Sequence, residues 1–354
     1  MSLIHELMKQ KLSTEERAES SVEPVENVDG ALDNVESDLD AVRDEVESIK
    51  EDTSDIAEAD GTGEKLEETI QTMEAMLSDD YVNHTELRLV MARGRNLLGR
   101  VGVTPSELSF EAHARFDSVE SRHETLTLAT EGFRERAGQL KEAISASAQR
   151  IWARIKEVFK SLTDADHRLA SLLVTLEGQL AAGGAPVADT VAMSKRDHAW
   201  LADGKGFLIP VGGMTTKLIS AVKYSFDTYL PAVMRATSGD AIKPIDAKRF
   251  EGLGGGLTVG TSNRFNAPVF ATHRVVDPKR AAATPAAQPA ELKKILQNVK
   301  TLSSTDLKLD YEETSTAAAV ISSAMVDLLV YKFRIMKAAL AYVKAQLSNY
   351  GAKA

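Results

Sequence analysis

The sequence predicts a mainly α-helical protein with an acidic, partly disordered N-terminal segment, a helical middle, a smaller Gly- and Pro-rich region of mixed α+β structure, and a long C-terminal helix. Apolar residues recur at helical spacing through most of the chain, whereas Gly and Pro separate short apolar runs at 186–290. Hydrophobic residues make up 43% of the chain but aromatic residues only 5%, so aliphatic side chains must form the core. The sequence has no cysteine, which excludes disulfides and thiolate metal sites within it.

The N-terminal segment combines high negative charge with a periodic apolar pattern. Residues 13–64 are acidic and poor in aromatic residues, so we expect 13–60 to be the least ordered part of the chain. An apolar seam nevertheless runs along 28–50 in steps of four and three residues. The seam consists of Val28, Leu32, Val35, Leu39, Val42, Val46 and Ile49. It predicts a helix that either forms a coiled coil, giving a route to self-association through 28–50, or forms only transiently. We expect Gly61, Thr62 and Gly63 to break the pattern.

Further elements follow from the spacing of apolar residues and from the positions of Gly and Pro. Helices are predicted over 64–99 with a break near Ser78, over 112–181, over about 215–234 with Pro231 kinking or ending it, and over 291–299 and 311–347. Apolar faces in the first of these regions are formed by Leu66, Ile70 and Met73 and by Leu87, Met91 and Leu97. Short strands or extended segments are predicted at 206–211 and 267–271.

These breaks divide the chain into four predicted blocks. They are an acidic segment at 1–111, a helical domain at 112–182, a mixed region at 186–290 and a C-terminal helical region at 291–354. The acidic segment extends to 131 if its boundary lies at the later site. The mixed region ends in an Ala/Pro linker at 281–290.

The net charge changes sign along the chain. Residues 1–131 carry 32 Asp and Glu against 12 Lys and Arg, a net charge of −20. Residues 132–354 carry 20 Asp and Glu against 30 Lys and Arg, a net charge of +10. Such asymmetry indicates interaction partners, and the basic part favours proximity to polyanions.

Two short matches to one pattern, Leu-x-x-Glu before a tiny residue, lie near this charge boundary. They are Leu108, Ser109, Phe110 and Glu111 before Ala112, and Leu128, Ala129, Thr130 and Glu131 before Gly132. A proteolytic cut after either glutamate would remove an acidic segment and leave a basic protein. Glu131 is the preferred final site, because the basic part then begins at Gly132.

A basic amphipathic helix is predicted around residues 150–162. Trp152 and Phe159 lie on its apolar face, and the basic residues off that face are Arg150, Arg154, Lys156 and Lys160. Three interpretations are open: a core helix with a solvated basic face, a helix on a membrane surface, and a helix that contacts DNA phosphates.

No arrangement of residues in the sequence favours an enzyme, and we expect no cofactor, no metal site and no catalytic residue. The seven histidines are scattered singly, and neither a P-loop nor a Gly-x-Ser-x-Gly motif occurs. The glycine cluster at 252–257 is expected to be a flexible loop rather than a nucleotide site. The apolar run at 317–331 is interrupted by polar residues and predicts a buried helix rather than an integral membrane span.

The order of these features resembles the internal head proteins of giant phiKZ-like tailed bacteriophages. The matching residues are Ser109, Phe110 and Glu111 before Ala112, Ala129, Thr130 and Glu131 before Gly132, and the pattern of Trp152, Ile155, Lys156 and Phe159. The resemblance covers roughly residues 60–165. It implies a structural protein held inside the capsid with the genome and an inner body. It also implies an acidic pro-segment that a Glu-specific prohead protease removes during head maturation.

The partners implied by the resemblance are the prohead protease, other capsid and inner-body proteins, and packaged DNA bound through non-specific charge. The implied location is the virion interior, with the host cytoplasm during assembly. One alternative is a membrane-active helical protein, either ejected with the DNA or toxin-like, that uses the helices at Trp152 and 317–331. A second alternative is an enzyme whose site is assembled from scattered polar residues.

Overall fold

The computed structural model describes residues 27–79, 81–102, 118–203, 208, 210–236, 241–262, 264–274, 283–303 and 315–352. Helices dominate this part of the chain, which confirms the predicted fold class. The helices are α1 (Val28–Leu77), α2 (His84–Arg100), α3 (Val119–Ala182), α4 (Lys195–Leu201), α5 (Val211–Lys223), α6 (Leu230–Met234), α7 (Pro289–Ser303) and α8 (Thr316–Leu347). The strands are β1 (Gly183–Pro186), β2 (Thr190–Val191), β3 (Leu257–Ser262), β4 (Ala267–Thr272), β5 (Thr284–Pro285) and β6 (Tyr350–Ala352).

Helix α1 confirms the predicted helix over 28–50. All seven seam residues are buried, and Val35 and Leu39 have no exposed surface. The expected disorder is therefore wrong for residues 27–60, because the seam finds its apolar partners within the same chain. The seam is not open for a coiled coil between chains, so self-association through 28–50 would first require this packing to open. Residues 13–26 lie outside the described part.

Helix α1 also continues through the glycines that were expected to break it. The hydroxyl of Thr62 donates a 3.0 Å hydrogen bond to the Glu58 carbonyl, and Thr62 itself is buried. A Cβ placed on Gly63 would lie 3.6 Å from the Leu140 side chain, so the backbone there packs at ordinary contact distance. Each glycine costs a helix about 1 kcal/mol relative to alanine, and tertiary packing of this kind outweighs that cost.

The chain divides into two compact units that each combine segments distant in sequence. The small unit comprises 51–153 and 314–320, and the large unit comprises 1–50, 154–313 and 321–354. Each unit therefore contains parts of several of the blocks that the sequence predicts.

An apolar cluster between three helices forms the core of the small unit. It contains the predicted faces of α1 and α2 together with α3 side chains, namely Leu66, Ile70, Met73, Leu87, Met91, Leu97, Leu126, Ala129 and Phe133. A Cβ on Gly94 would lie 2.6 Å from the Phe133 ring, so glycine is required where α2 approaches α3. Asn83 caps α2 by accepting a hydrogen bond from the Thr85 amide at 2.8 Å.

Helix α8 is almost entirely buried over the part that belongs to the large unit. Nearly every residue from 321 to 343 is buried, including the polar or charged side chains of Ser322, Lys332, Arg334 and Lys337. In the described part of the chain, α8 is long and apolar enough to cross a membrane by length and composition, but 83% of its apolar window is buried inside the protein. A core helix passes the same test, and the burial confirms the predicted buried helix.

Pro231 changes the type of helix instead of ending it. Residues Tyr224–Tyr229 form a π-helical segment between α5 and α6. Because Pro231 has no amide hydrogen and its ring crowds the carbonyl four residues earlier, the preceding turn widens and the helix then resumes.

Short antiparallel strand pairs connect distant parts of the large unit. β1 pairs with β6, β2 with β5, and β3 with β4. The β4 strand confirms the prediction at 267–271. Of the predicted segment 206–211, Leu208 forms an isolated bridge with Ala202, and Val211 already belongs to α5. Its residues 206, 207 and 209 lie outside the described part.

The predicted linker at 281–290 is packed where it is described, from residue 283 onward. The buried Gln346 side chain accepts a hydrogen bond from the Ala287 amide at 2.9 Å and donates one to the Pro285 carbonyl at 3.0 Å. Ala287 is 2% exposed, and α7 begins at Pro289. These contacts hold β5 in place, so this stretch does not act as a spacer.

The glycine cluster is a packing feature rather than a flexible loop. A Cβ on Gly254 would lie 2.3 Å from the Trp200 carbonyl oxygen, and Gly255 adopts a positive φ of 65°. Gly254 has no Cβ that would prevent the close approach, and Gly255 adopts a positive φ that favours glycine. The Tyr331 hydroxyl donates a hydrogen bond to the Gly254 carbonyl, which connects this turn to α8.

Candidate interaction site around the acidic helix

In the described part of the large unit, residues 28–50 of α1 and basic side chains of α3, α4 and α8 form a dense charged arrangement. Glu36 and Asp40 lie four residues apart, so they share one side of α1 and border the apolar seam. They meet three basic residues, and a sixth member, Asp197, completes the group. This ion network consists of Glu36, Asp40, Asp197, Arg196, Arg334 and Lys337.

Arg334 is the central cation of the ion network. Its Nη1 lies 2.8 Å from Glu36 Oε1 and its Nη2 lies 2.7 Å from Asp40 Oδ1. Nη2 also donates a 3.0 Å hydrogen bond to the Leu39 carbonyl. The Arg334 side chain is 1% exposed and Glu36 7%, so this pair is almost completely removed from water. A planar guanidinium with several donors suits such a site better than an ammonium.

Lys337 links α1 to α4 through two carboxylates. Its Nζ lies 3.2 Å from Glu36 Oε2 and 2.8 Å from Asp197 Oδ1. Asp197 is fixed by Ser194, which caps α4: the Ser194 hydroxyl donates to Asp197 Oδ2 at 2.7 Å and accepts from the Asp197 amide at 3.1 Å. Three carboxylates thus face three cations, which lets the buried charges compensate one another.

Arg196 closes the network on its solvent side. Its Nη2 lies 2.6 Å from Glu36 Oε1 and 2.6 Å from Asp40 Oδ2. Desolvation acts to raise the pKa of Asp40, but hydrogen bonds from Arg196 and Arg334 outweigh it and hold that pKa below its usual value. Asp40 therefore remains ionised in the folded protein at neutral pH.

Trp200 lies against the cationic side of the network. The guanidinium carbon of Arg334 is 5.3 Å from the centre of its ring, and that of Arg274 is 4.7 Å away. Burial and the like charges of Arg334 and Arg43 lower the pKa of Arg274. The aromatic face of Trp200 therefore provides part of the stabilisation of these two cations.

Further ion pairs flank the network along α1. They are Arg154 with Glu45 at 2.7 Å, Arg168 with Asp38, Lys344 with Asp29 at 2.6 Å, and Lys50 with Asp327 at 2.9 Å. Three of these four pairs place an α1 carboxylate against a basic residue of 154–352. The three pairs that involve Asp29, Asp38 and Glu45 are exposed enough to contribute only about 0.2–1 kcal/mol each and are screened by salt, so they affect the surface charge more than the stability.

The residues of the predicted basic amphipathic helix occupy different environments. Trp152 is 4% exposed and therefore belongs to the core, and Phe159 is partly buried. Arg154 pairs with Glu45 and donates to the Ser48 hydroxyl at 2.9 Å. Arg150, Lys156 and Lys160 are exposed. This placement favours the first of the three interpretations, a core helix with a solvated basic face.

The two predicted cleavage sites differ in what the structure describes. Leu108, Ser109, Glu111 and Ala112 lie outside the described residues. Leu128, Ala129, Glu131 and Gly132 lie inside α3, where Ala129 is fully buried and Glu131 is exposed. The Thr130 hydroxyl donates a 2.7 Å hydrogen bond to the Leu126 carbonyl, and both residues are buried. Cleavage after Glu131 in the folded chain therefore requires local opening of α3.

The arrangement can hold an acidic amphipathic helix, and it offers no evident catalytic geometry. Within the described residues, no group of three or more His, Asp or Glu side chains is placed to hold a metal ion. The site combines an apolar strip with fixed cations, which is the chemistry of helix binding in a groove.

Sequence reasoning missed Glu36, Arg334 and Lys337. A signal was present, because Lys332, Arg334 and Lys337 stand within the most apolar helix of the chain. Charged residues in a buried helix need partners of opposite charge. The sequence does not reveal which of the many carboxylates those partners are.

Comparison with known proteins identifies the family. The model of the phiKZ-like phage internal head proteins matches residues 28–319, from the first residue of α1 into α8. No curated protein and no solved structure matches the chain. The match covers more than half of the chain and includes both predicted cleavage sites. The chain therefore belongs to the phiKZ-like phage internal head proteins.

Proposed function

We propose that this protein is a structural component of the phage head interior that is made as a precursor and cut by a prohead protease during head maturation. Membership of the internal head family implies the location inside the head and suggests a structural rather than an enzymatic role. The −20 charge of residues 1–131 and the two Leu-x-x-Glu matches support processing. The observation that carries the proposal is the family match over 28–319.

We further propose that the cut after Glu111 precedes any cut after Glu131. Proteases act on exposed chain that can leave regular structure. Glu131 lies in α3 with a buried residue on its N-terminal side, and its neighbours pack against α1 and α2 in the small-unit core. A first cut between α2 and α3 would remove the covalent link at the N-terminal end of α3, and the second site in α3 would open more readily.

The acidic segment limits contact between the basic part and DNA while the head assembles in the host cytoplasm. The support is the set of ion pairs in which α1 carboxylates meet Arg154, Arg168, Arg196 and Lys344. Basic residues released from such pairs would contact packaged DNA through phosphate charge, without reading sequence. Other capsid and inner-body proteins are the remaining proposed partners.

A membrane-active role receives less support than the structural role. It requires Trp152 and α8 to reach a lipid surface, yet both are buried in the fold. Either element would have to leave its core, and the exposed basic residues alone would give only salt-dependent attraction to anionic lipid.

Mass spectrometry of the protein taken from mature particles tests the proposal. We expect chains that begin at Ala112 or Gly132, and immature heads should contain chains that retain residues 28–111. Chains in mature particles that are uncut at both sites would contradict processing. Absence of the protein from the head fraction would contradict the structural role itself.

A further inference from the structure

We propose that residues 154–352 form a docking groove for an acidic amphipathic helix, and that this groove retains residues 28–50 after the chain is cut between α2 and α3. The groove is defined by the basic residues that meet α1, which are Arg154, Arg168, Arg196, Arg334, Lys337 and Lys344. This inference rests on the proposed function, because it concerns the folded protein after a proteolytic cut between α2 and α3. The contacts themselves exist in the uncut chain.

The first support is the burial of apolar side chains, which salt does not screen. Val35, Leu39, Val46 and Ile49 are each at most 1% exposed, and the other seam residues at most 8%, so this face of residues 28–50 is covered by protein. This burial does not depend on the covalent connection to α3, which lies beyond α2 in sequence. Cutting a peptide bond there leaves every one of these contacts in place.

The second support is the charge left behind if the helix were to leave. Without α1, Arg334 and Lys337 would lose the carboxylates of Glu36 and Asp40, and Asp197 would be the one carboxylate of the network left beside three cations. Both cations have side chains at most 7% exposed in the folded protein. Departure of α1 would break the charge-assisted hydrogen bonds and ion pairs that these cations make with Glu36 and Asp40, and this loss favours the bound helix over an empty groove.

The groove also distinguishes its ligand from other acidic chains. The ligand needs apolar residues in steps of four and three and two carboxylates four residues apart beside them, as Glu36 and Asp40 are placed. A uniformly charged polyanion such as DNA lacks the apolar strip. It would meet only the exposed cations at the edge of the groove.

The consequence is that one cut does not remove the acidic charge from the basic part. The acidic helix remains as a non-covalent subunit of the cut protein, and the chain keeps its negative overall charge. Release of the basic surface then requires a second event that destroys the helix itself, such as cleavage within 28–50.

The test uses the full chain with a recognition sequence for a site-specific protease inserted between residues 102 and 118. After digestion, hydrogen exchange of residues 28–50 is measured by mass spectrometry alongside size-exclusion chromatography at physiological and at high salt. We expect co-elution of the two fragments at both salt concentrations and unchanged exchange protection of 28–50. Rapid exchange of 28–50 after digestion would overturn the proposal, even if the small-unit core still holds the fragments together.

A matched pair of variants tests the ion network. Glu36→Lys should abolish the protection of 28–50 in the digested protein, whereas Asp33→Lys, at an exposed position on the same helix, should not. Equal protection in both variants would overturn the role of the network. If the undigested Glu36→Lys chain does not fold, Glu36→Gln is measured in its place, with Asp33→Asn as its control. The inserted site makes the result independent of natural processing, so failure here and failure of the proposed cleavage are distinguishable.

Discussion

Arg334 and Glu36 are 298 residues apart in sequence, yet they form a buried ion pair with 2.8 Å between Nη1 and Oε1. One partner stands in the most apolar helix and the other in the most acidic part of the chain. The pair makes the acidic helix a component of the folded core of the large unit.

Arg334→Met should destabilise the large unit by about 3–5 kcal/mol, because Glu36 and Asp40 would lose their central cation while Glu36 stays buried. Urea unfolding followed by Trp200 fluorescence in a Trp152→Phe background measures this change. Arg168→Met is the control, since its pair with Asp38 is about half exposed and should contribute at most about 1 kcal/mol. Equal losses in the two variants would contradict the assignment of a buried network.

Neutralising three α1 carboxylates at the edge of the groove should strengthen non-specific DNA binding. The variant Asp29→Asn, Asp38→Asn, Glu45→Gln releases Lys344, Arg168 and Arg154 from their ion pairs. The control variant Asp33→Asn, Glu51→Gln, Asp55→Asn changes the net charge equally at exposed positions.

Titration against random duplex DNA at several salt concentrations compares the two triple variants. Each added phosphate contact should steepen the slope of log affinity against log salt by about 0.9. The first variant should therefore show a slope steeper by up to about 3 than the control. Identical slopes would show that net charge alone, and not release of these cations, governs binding.

Phe133→Ala should accelerate cleavage after Glu131 by a glutamate-specific protease. The ring is fully buried in the small-unit core, and its removal should cost about 3–5 kcal/mol. A cost of that size raises the open population of α3 by a factor of 100 or more, roughly tenfold for every 1.4 kcal/mol. Val174→Ala, at a partly exposed position of the same helix, is the control. No acceleration in Phe133→Ala would mean that α3 does not protect the site.

Lys332 should make the free energy of unfolding depend on pH in the alkaline range. Burial lowers its pKa to about 8, and the charge of Asp166 opposes this only in part. An unfolded lysine has a pKa of about 10.4, so between these values the unfolded state binds more protons. Stability should therefore rise as pH increases from about 8 to about 10.

Urea midpoints across that pH range, measured for the unaltered protein and for Lys332→Met, check this prediction. The variant should lose the rise, and the exposed control Lys160→Met should keep it. The difference between variants removes the contribution of tyrosines that titrate in the same range. An unchanged pH profile in Lys332→Met would refute the assignment.

Local patterns were enough to predict most helices of this fold. The seam from Val28 to Ile49 and the apolar faces of α2 and α3 are amphipathic, and such periodicity is a property of neighbouring residues. The predicted break at Gly61 failed because packing outweighs glycine's small local cost. The predicted disorder over 27–60 failed because composition does not report a partner that lies about 300 residues away.

The charge pairings of the candidate site could not be predicted from the sequence as the helices could. Arg154 was identified as a basic residue, but its partner Glu45 lies 109 residues away. Lys337 contacts Asp197 and Glu36, three residues from three separate helices. Pairings of this kind are set by tertiary topology, and a single sequence does not show which of its many carboxylates pairs with a given basic residue.

The long sequence separation between α1 and α8 has a consequence for synthesis. At about 5–20 residues per second, the ribosome needs roughly 15–60 s to reach Arg334 after Glu36 has been made. The apolar cluster around Phe133 is encoded much earlier and can assemble while translation continues. During the interval, Glu36 and Asp40 have neither Arg334 nor Lys337 to pair with, and the high negative charge of this segment would favour a soluble nascent chain. The same carboxylates would thus act on the growing chain before they join the ion network of the folded protein.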